Sequence, residues 1–258
     1  MWYFTVAEPL VARHGGYAGR DEMLVYVTML ACAALMVLFV RRYDLYEKEP
    51  WYMLLVAVAI GIGLMWLAGQ VEDAALAHLR LAPDELAAKA ALVTIVEETA
   101  KLLGVVLIAV LFRRHFNDAL DGLLYGTLAG LGMAIEESLM YLSLTPDKNA
   151  QALGAEVIRL FGHSLMGGLL GFAVGLTLRP DRAAGRRKVA LPATCVGVAL
   201  VIHFSWDYIA YRPHVPPAMR GVLMLLMLSL MLVWGVMVAY AMDLSRRYFR
   251  SGAGPVHA

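Results

Sequence analysis

Seven stretches of about 20 predominantly apolar residues recur along the chain, at Met23–Val40, Trp51–Gly69, Ala91–Phe112, Ala119–Ser143, Val157–Leu178, Val189–Tyr211 and Met219–Met242. A helix of about 20 residues spans the ~30 Å hydrocarbon core of a bilayer. Lipid offers no hydrogen bonds, so a chain made of such runs must satisfy its backbone within helices. The expected fold is therefore all-α, a polytopic membrane protein of about seven transmembrane helices. Composition agrees: 60% of residues are hydrophobic and 17% charged, against about a quarter charged in soluble domains. That balance excludes a disordered chain and an ordinary soluble α/β enzyme. The net charge of +1 gives no sign of a nucleic-acid partner. Cys32 and Cys195 lie inside apolar runs, which provides neither a disulfide framework nor a CxxC metal motif.

No internal repeat interrupts the pattern, and residues 1–258 read as one membrane domain with an N-terminal segment 1–22 and a tail 243–258. The N-terminus lacks a basic region followed by a short apolar core, so no cleavable signal peptide is expected. The charged, Ala/Leu-rich stretch from Glu72 to Lys89 suits either an interfacial helix or an extramembrane hairpin. Thirteen Lys and Arg residues flank one set of span ends, among them Arg41, Arg42, Arg113, Arg114, Arg186, Arg187 and Arg246, and seven flank the other. Positive charge accumulates on the cytoplasmic side, which predicts an outside N-terminus, an inside C-terminus and residence in a cell membrane, the bacterial cytoplasmic membrane being the expected one. Glycines recur every fourth position at Gly122, Gly126 and Gly130, and again at Gly167, Gly171 and Gly175. Such stripes let helices approach closely in lipid.

Ionisable residues inside the spans are costly and call for an account. Span three holds Glu97, Glu98 and Lys101; span four Glu136 and Glu137; span five Arg159 and His163; span six His203 and Asp207. With spans alternating in direction, Glu97, Glu137, His163 and His203 fall in one layer, roughly 9 Å below the outer surface. Spacing adds to this. Lys101 is three and four residues from the two span-three carboxylates, and Asp207 is four from His203, where it can orient the imidazole. A buried set of carboxylates and imidazoles without a Ser or Cys nucleophile suits activation of water by a general base, with an imidazole donating to the oxyanion. Zinc is a second route, with His163, His203, Glu137 and Asp207 as candidate ligands. No HExxH signature is present, and the metal-independent route is the preferred expectation. The other histidines, His14, His78, His115, His214 and His257, fall in expected loops or tails, where solvation is the simpler reading.

The run Asp44-Leu-Tyr-Glu-Lys-Glu-Pro50, the motif Glu97-Glu98-Thr-Ala-Lys101, Asp121-Gly-Leu-Leu-Tyr125 leading to Gly132-Met-Ala-Ile-Glu-Glu137, His163, and His203-Phe-Ser-Trp-Asp207 together resemble the PrsW intramembrane proteases, related to the CAAX prenyl proteases and bacteriocin-processing proteases. The likeness covers roughly Arg41 to Ala210. It implies an intramembrane endopeptidase acting on a membrane protein near the extracytoplasmic face, with first-step cleavage of an anti-sigma factor as one possibility. It also implies that Glu97 and Glu98 are essential, Glu97 being the favoured water activator, with roles at Glu137, His163, His203 and Asp207. Met133 and Ser138 depart from the family's usual Phe and Asn and touch pocket shape more than chemistry. The prenyl-protease branch has His and Asn where this chain has Glu137 and Asp207. A proton- or metal-coupled transporter is the competing class, since intramembrane carboxylates and histidines also relay ions, but neither paired halves nor interrupted spans are evident. An inactive scaffold of the same fold is a third reading.

Overall fold

A computed structural model describes residues 19–43, 48–82, 84–144, 150–178, 187–212 and 214–250. Its helices are α1 (Gly19–Tyr43), α2 (Trp51–Leu79), α3 (Leu86–Leu111), α4 (Ala119–Leu144), α5 (Ala150–Leu178), α6 (Arg187–Ala210) and α7 (Pro217–Arg250), with one 3₁₀ turn at Arg113–His115 and no strand among the described residues. Five of them, α1, α2, α5, α6 and α7, are long and apolar enough to cross a membrane. The other two, α3 and α4, hold five of the ionisable residues singled out above and fall short of that apolarity. Their place in the bundle compensates. Every residue from Asp118 to Ala134 of the α4 segment is buried, so this helix is walled by protein on all sides. Leu35, Leu55, Val201 and Leu232 on the surrounding helices are more than 60% exposed and present an apolar exterior suited to lipid.

The segment from Glu72 to Lys89 is not a separate helix. Helix α2 continues through it to Leu79 and ends at Arg80 in the left-handed conformation (φ 51°). A short connector then leads into α3 at Leu86. The hairpin expectation fits this better than an interfacial helix. The tail is also more ordered than expected, since α7 runs eight residues past Met242 to Arg250. Residues 1–18, most of the N-terminal segment, and His14 and His257 lie outside the described residues.

The two glycine stripes face each other. A Cβ on Gly126 would strike the backbone of Gly167 and Gly171, and one on Gly122 that of Gly171 and Gly175. One on Gly130 would strike the backbone of His163. These reciprocal contacts bring antiparallel α4 and α5 backbone to backbone, with dispersion in place of side-chain volume. On the other side of α4, Gly61 packs against Ala129 and Gly132 against Val58, seating α2 equally closely. The start of α4 is capped within its own segment. Asp118 Oδ1 accepts the amides of Leu120 (2.8 Å) and Asp121 (3.1 Å), and Asp121 Oδ2 accepts those of Asn117 (2.6 Å) and Asp118 (3.1 Å). This end of the bundle also holds buried Glu49, whose Oε2 lies 3.0 Å from His115 Nδ1, while Tyr52 meets His115 Nε2 at 2.9 Å. The described residues of the Asp44–Pro50 motif and the Asp121–Tyr125 motif therefore build the end of the bundle opposite Glu97 and Glu137; Asp44 to Glu47 lie outside the described residues.

Candidate active site

Continued by helical steps of four, the α5 stripe Gly175, Gly171, Gly167 reaches His163 and then Arg159. On α4, two turns beyond Gly130 the same face carries Glu137. The close glycine packing therefore ends in a contact between ionisable side chains. His163 Nε2 lies 3.1 Å from Glu137 Oε2, and Arg159 Nε lies 3.3 Å from Glu137 Oε1. Arg159 is held further by Glu156, by Ser138 Oγ at 3.5 Å, and by the ring of Tyr141, whose centroid is 4.3 Å from the guanidinium carbon.

From α3, Glu97 enters the same space. Its Oε2 lies 3.7 Å from His163 Nδ1, 3.7 Å from His203 Nε2 and 3.8 Å from Lys101 Nζ. Neighbouring Glu98 reaches the other nitrogen of His203, its Oε1 meeting both Lys101 Nζ and His203 Nδ1 at 2.5 Å. On α6, Asp207 Oδ2 lies 3.4 Å from His203 Nε2 and accepts from the Tyr211 hydroxyl at 3.5 Å. The two imidazole centroids are 5.4 Å apart. Four helices thus bring Glu97, Glu98, Lys101, Glu137, Arg159, His163, His203 and Asp207 into one connected group, and all but Arg159 are buried. Glu136 makes none of these contacts; it is only partly buried and lines the cavity that opens between α2 and α3. This arrangement is not that of merely neutralised charges, because His163 lies between two carboxylates and His203 among three, while Glu97 stands between the two imidazoles.

Two cavities flank the group. One, of about 240 Å³, lies among α4, α5, α6 and α7 and exposes both imidazoles. The other, of about 300 Å³, opens between α2 and α3 and reaches Glu97. They share Glu137, Tyr141, Asp207 and Tyr211 as common walls. A molecule entering from either side meets Glu137 and Asp207. Among these wall residues, Glu72, Tyr141, Trp206 and Tyr211 did not emerge from the sequence as site residues, nor did Glu156, which is fully buried beside Arg159. Two signals were available for them. Glu156 is three residues from Arg159, and Glu72 continues the buried face Gly61, Met65, Ala68 of α2 at helical spacing.

The donor set fits a divalent metal. Glu97, His163 and His203 each offer a ligand atom, and these lie within 4.8 Å of one another. Ligands of a tetrahedral zinc at about 2.0–2.1 Å stand about 3.4 Å apart, close to the 3.7 Å from Glu97 Oε2 to each imidazole. Glu97 Oε2 and His163 Nδ1 are buried without a hydrogen bond, which leaves a lone pair on each for a cation. The far nitrogen of each imidazole faces a further carboxylate, Glu137 for His163 and Glu98 for His203, the outer support that metal-bound histidines require. This trio differs from the four candidate ligands suggested by the sequence, placing Glu97 between the histidines and Glu137 and Asp207 at its margin.

The family model described as "PrsW family intramembrane metalloprotease" matches residues 49–242. The chain is also 24% identical over 171 residues to "Protease PrsW" of Bacillus subtilis (strain 168), covering 64% of this chain and 73% of that protein. No solved structure matches the chain.

Proposed function

The chain belongs to the PrsW family of intramembrane proteases, and we propose that it hydrolyses a peptide bond of a membrane-anchored protein at the Glu97–His163–His203 centre, near the extracytoplasmic face. The observation that carries this reading is the position of Glu97 Oε2, buried, free of hydrogen bonds and 3.7 Å from two imidazoles, with Glu97 lining one cavity and the imidazoles the other. Depth and the Lys/Arg distribution support the outer-leaflet location. A single-span regulatory protein such as an anti-sigma factor is the substrate type the family resemblance suggests.

We assign Glu97, His163 and His203 to holding a divalent ion, which when bound polarises a water and the scissile carbonyl. The remaining groups act on those three. Glu98 and Glu137 fix the tautomer and ring orientation of His203 and His163 from behind. Arg159 holds Glu137 in place, and Lys101 offsets the paired charge of Glu97 and Glu98. Asp207 and Glu137 line both cavities and are placed to exchange protons with water beside the scissile bond. Burial within the bundle keeps bulk water from competing for these contacts.

A second reading has one specific observation in its favour. The Lys101 ammonium lies 3.8 Å from Glu97 Oε2, a positive charge beside this carboxylate without an ion. In that version Glu97 takes the proton of an attacking water and an imidazole donates to the oxyanion, as in a glutamic peptidase.

The test of function is a proteomic comparison of membranes bearing wild-type protein and Glu97→Gln. Glutamine keeps the size and removes both the base and the anionic ligand. Shortened membrane-protein fragments present only with wild type support a protease. Identical fragment profiles with both proteins at equal abundance contradict it.

A further inference from the structure

The cavity between α2 and α3 has a chemistry that the hydrolytic centre does not use. Its inner end is formed by Glu97, Glu137 and Asp207; farther out it is walled by Glu72, Asp73 and Glu136, with Lys89 the sole basic side chain among its lining residues. Glu72 sits on the inward stripe of α2 that begins with Gly61, Met65 and Ala68, so it faces the bundle interior rather than lipid. Its Oε1 is buried and makes no hydrogen bond. A buried acceptor without a donor is unfavourable, and an entering donor relieves it. The apolar parts of the wall, including Met65, Trp66, Leu76 and Met140, suit the aliphatic stem of a long basic side chain whose charged head reaches a carboxylate.

We propose that Glu72 is a specificity-determining residue, forming a subsite for a Lys or Arg side chain of the substrate while the scissile bond lies at the Glu97–His163–His203 centre. The inference rests on the protease reading above. It selects substrates that carry a basic residue close to the cut, on the part of the chain lodged between α2 and α3.

The test uses the purified full-length protein in proteoliposomes and a panel of single-span peptides with neutral flanks. Each peptide carries Lys, its uncharged isostere norleucine, or Glu at one of five positions on either side of the cut bond. Within each protein variant the readout is the ratio of kcat/KM for the Lys peptide to that for the norleucine peptide, so changes in total turnover cancel. Wild type is expected to show a ratio of at least about tenfold at one position, roughly the worth of one buried charge-assisted hydrogen bond. Glu72→Gln is expected to bring that ratio to near one, and Glu72→Lys to shift preference to the Glu peptide. A wild-type ratio near one at every position, or a Lys preference that survives in Glu72→Gln, overturns the proposal. Binding of the same peptides, followed by fluorescence anisotropy, separates the two levels. If no peptide is cut, the protease reading fails. A Lys-over-norleucine binding preference lost in Glu72→Gln still supports the subsite, and equal binding overturns it.

Discussion

Replacing Lys101 by methionine removes a charge that the structure places wholly out of solvent. The side chain is 1% exposed, and its ammonium lies 2.5 Å from Glu98 and 3.8 Å from Glu97. Methionine keeps the length and the apolar stem, so the loss is electrostatic rather than one of packing. Removing one partner of a buried pair costs about 3–5 kcal/mol, mostly the penalty of the charge left behind. Glu98 retains His203 Nδ1 at 2.5 Å, which places the expected cost near the lower bound, about 3 kcal/mol. For a chain of this size that is a fall in Tm of about 6–12 °C, read by tryptophan fluorescence during thermal unfolding in detergent micelles. The double variant Glu98→Gln/Lys101→Met removes the stranded carboxylate as well, and should recover at least half of the loss. The coupling is that recovery plus the cost of Glu98→Gln alone, hence at least about 1.5 kcal/mol, within the range seen for residues in contact. A single variant within about 2 °C of wild type, or a double variant no more stable than the single, would refute the claim that this pair is buried and mutually dependent.

Gly126→Ala should destabilise by about 1–3 kcal/mol, because its Cβ meets the backbone of Gly167 and Gly171. Gly197→Ala, with nothing within 4 Å of the new Cβ, should be neutral or stabilising, and thermal unfolding compares the two directly. Arg159→Lys loses the arrangement that joins Glu137, Glu156 and the Tyr141 ring. It should lower kcat/KM about 10- to 100-fold, as outer-support changes do, with the protein still folded by circular dichroism. Exhaustive chelation followed by elemental analysis should abolish peptide cleavage, and readdition of zinc should restore it. Full turnover from a sample shown to be metal-free would assign water activation to Glu97 itself.

Much of the helical plan was legible because lipid imposes a simple rule on sequence, and the apolar runs lie within the helices to a few residues at most ends. The charged positions were legible for the same reason, since Glu97, Glu137, His163 and His203 interrupt runs that are otherwise apolar. Their common depth followed from alternating direction and the 1.5 Å rise. Rotation about each helix axis is what the apolar pattern hides. Glu97 and Glu98 are adjacent and equally buried, yet one faces His163 and His203 and the other Lys101 and the back of His203. That choice depends on how α3 seats against α5 and α6. The rotation of α4 is set by glycines whose partners only the fold reveals, which is why Gly130 stacking on His163 was legible as a stripe and not as a device that aims Glu137. Glu72 was hidden because α2 outruns its apolar segment, so its last turns looked like surface. The glutamates and aspartates of the opposite end carry family motifs, but Asp118 and Asp121 cap α4 there and Glu49 pairs with His115.

Hydrolysis of one single-span peptide by purified protein, compared among wild type, Glu97→Gln, His163→Ala and His203→Ala, tests the shared centre most directly. If the three side chains from α3, α5 and α6 act as one unit, each variant loses at least about 10³-fold in kcat while retaining its helical circular dichroism, and a pairwise double variant is no worse than either single, as expected for residues that fail together. Turnover within tenfold of wild type in the His203→Ala protein, or losses that multiply between the singles, would show that these groups do not form a common catalytic centre.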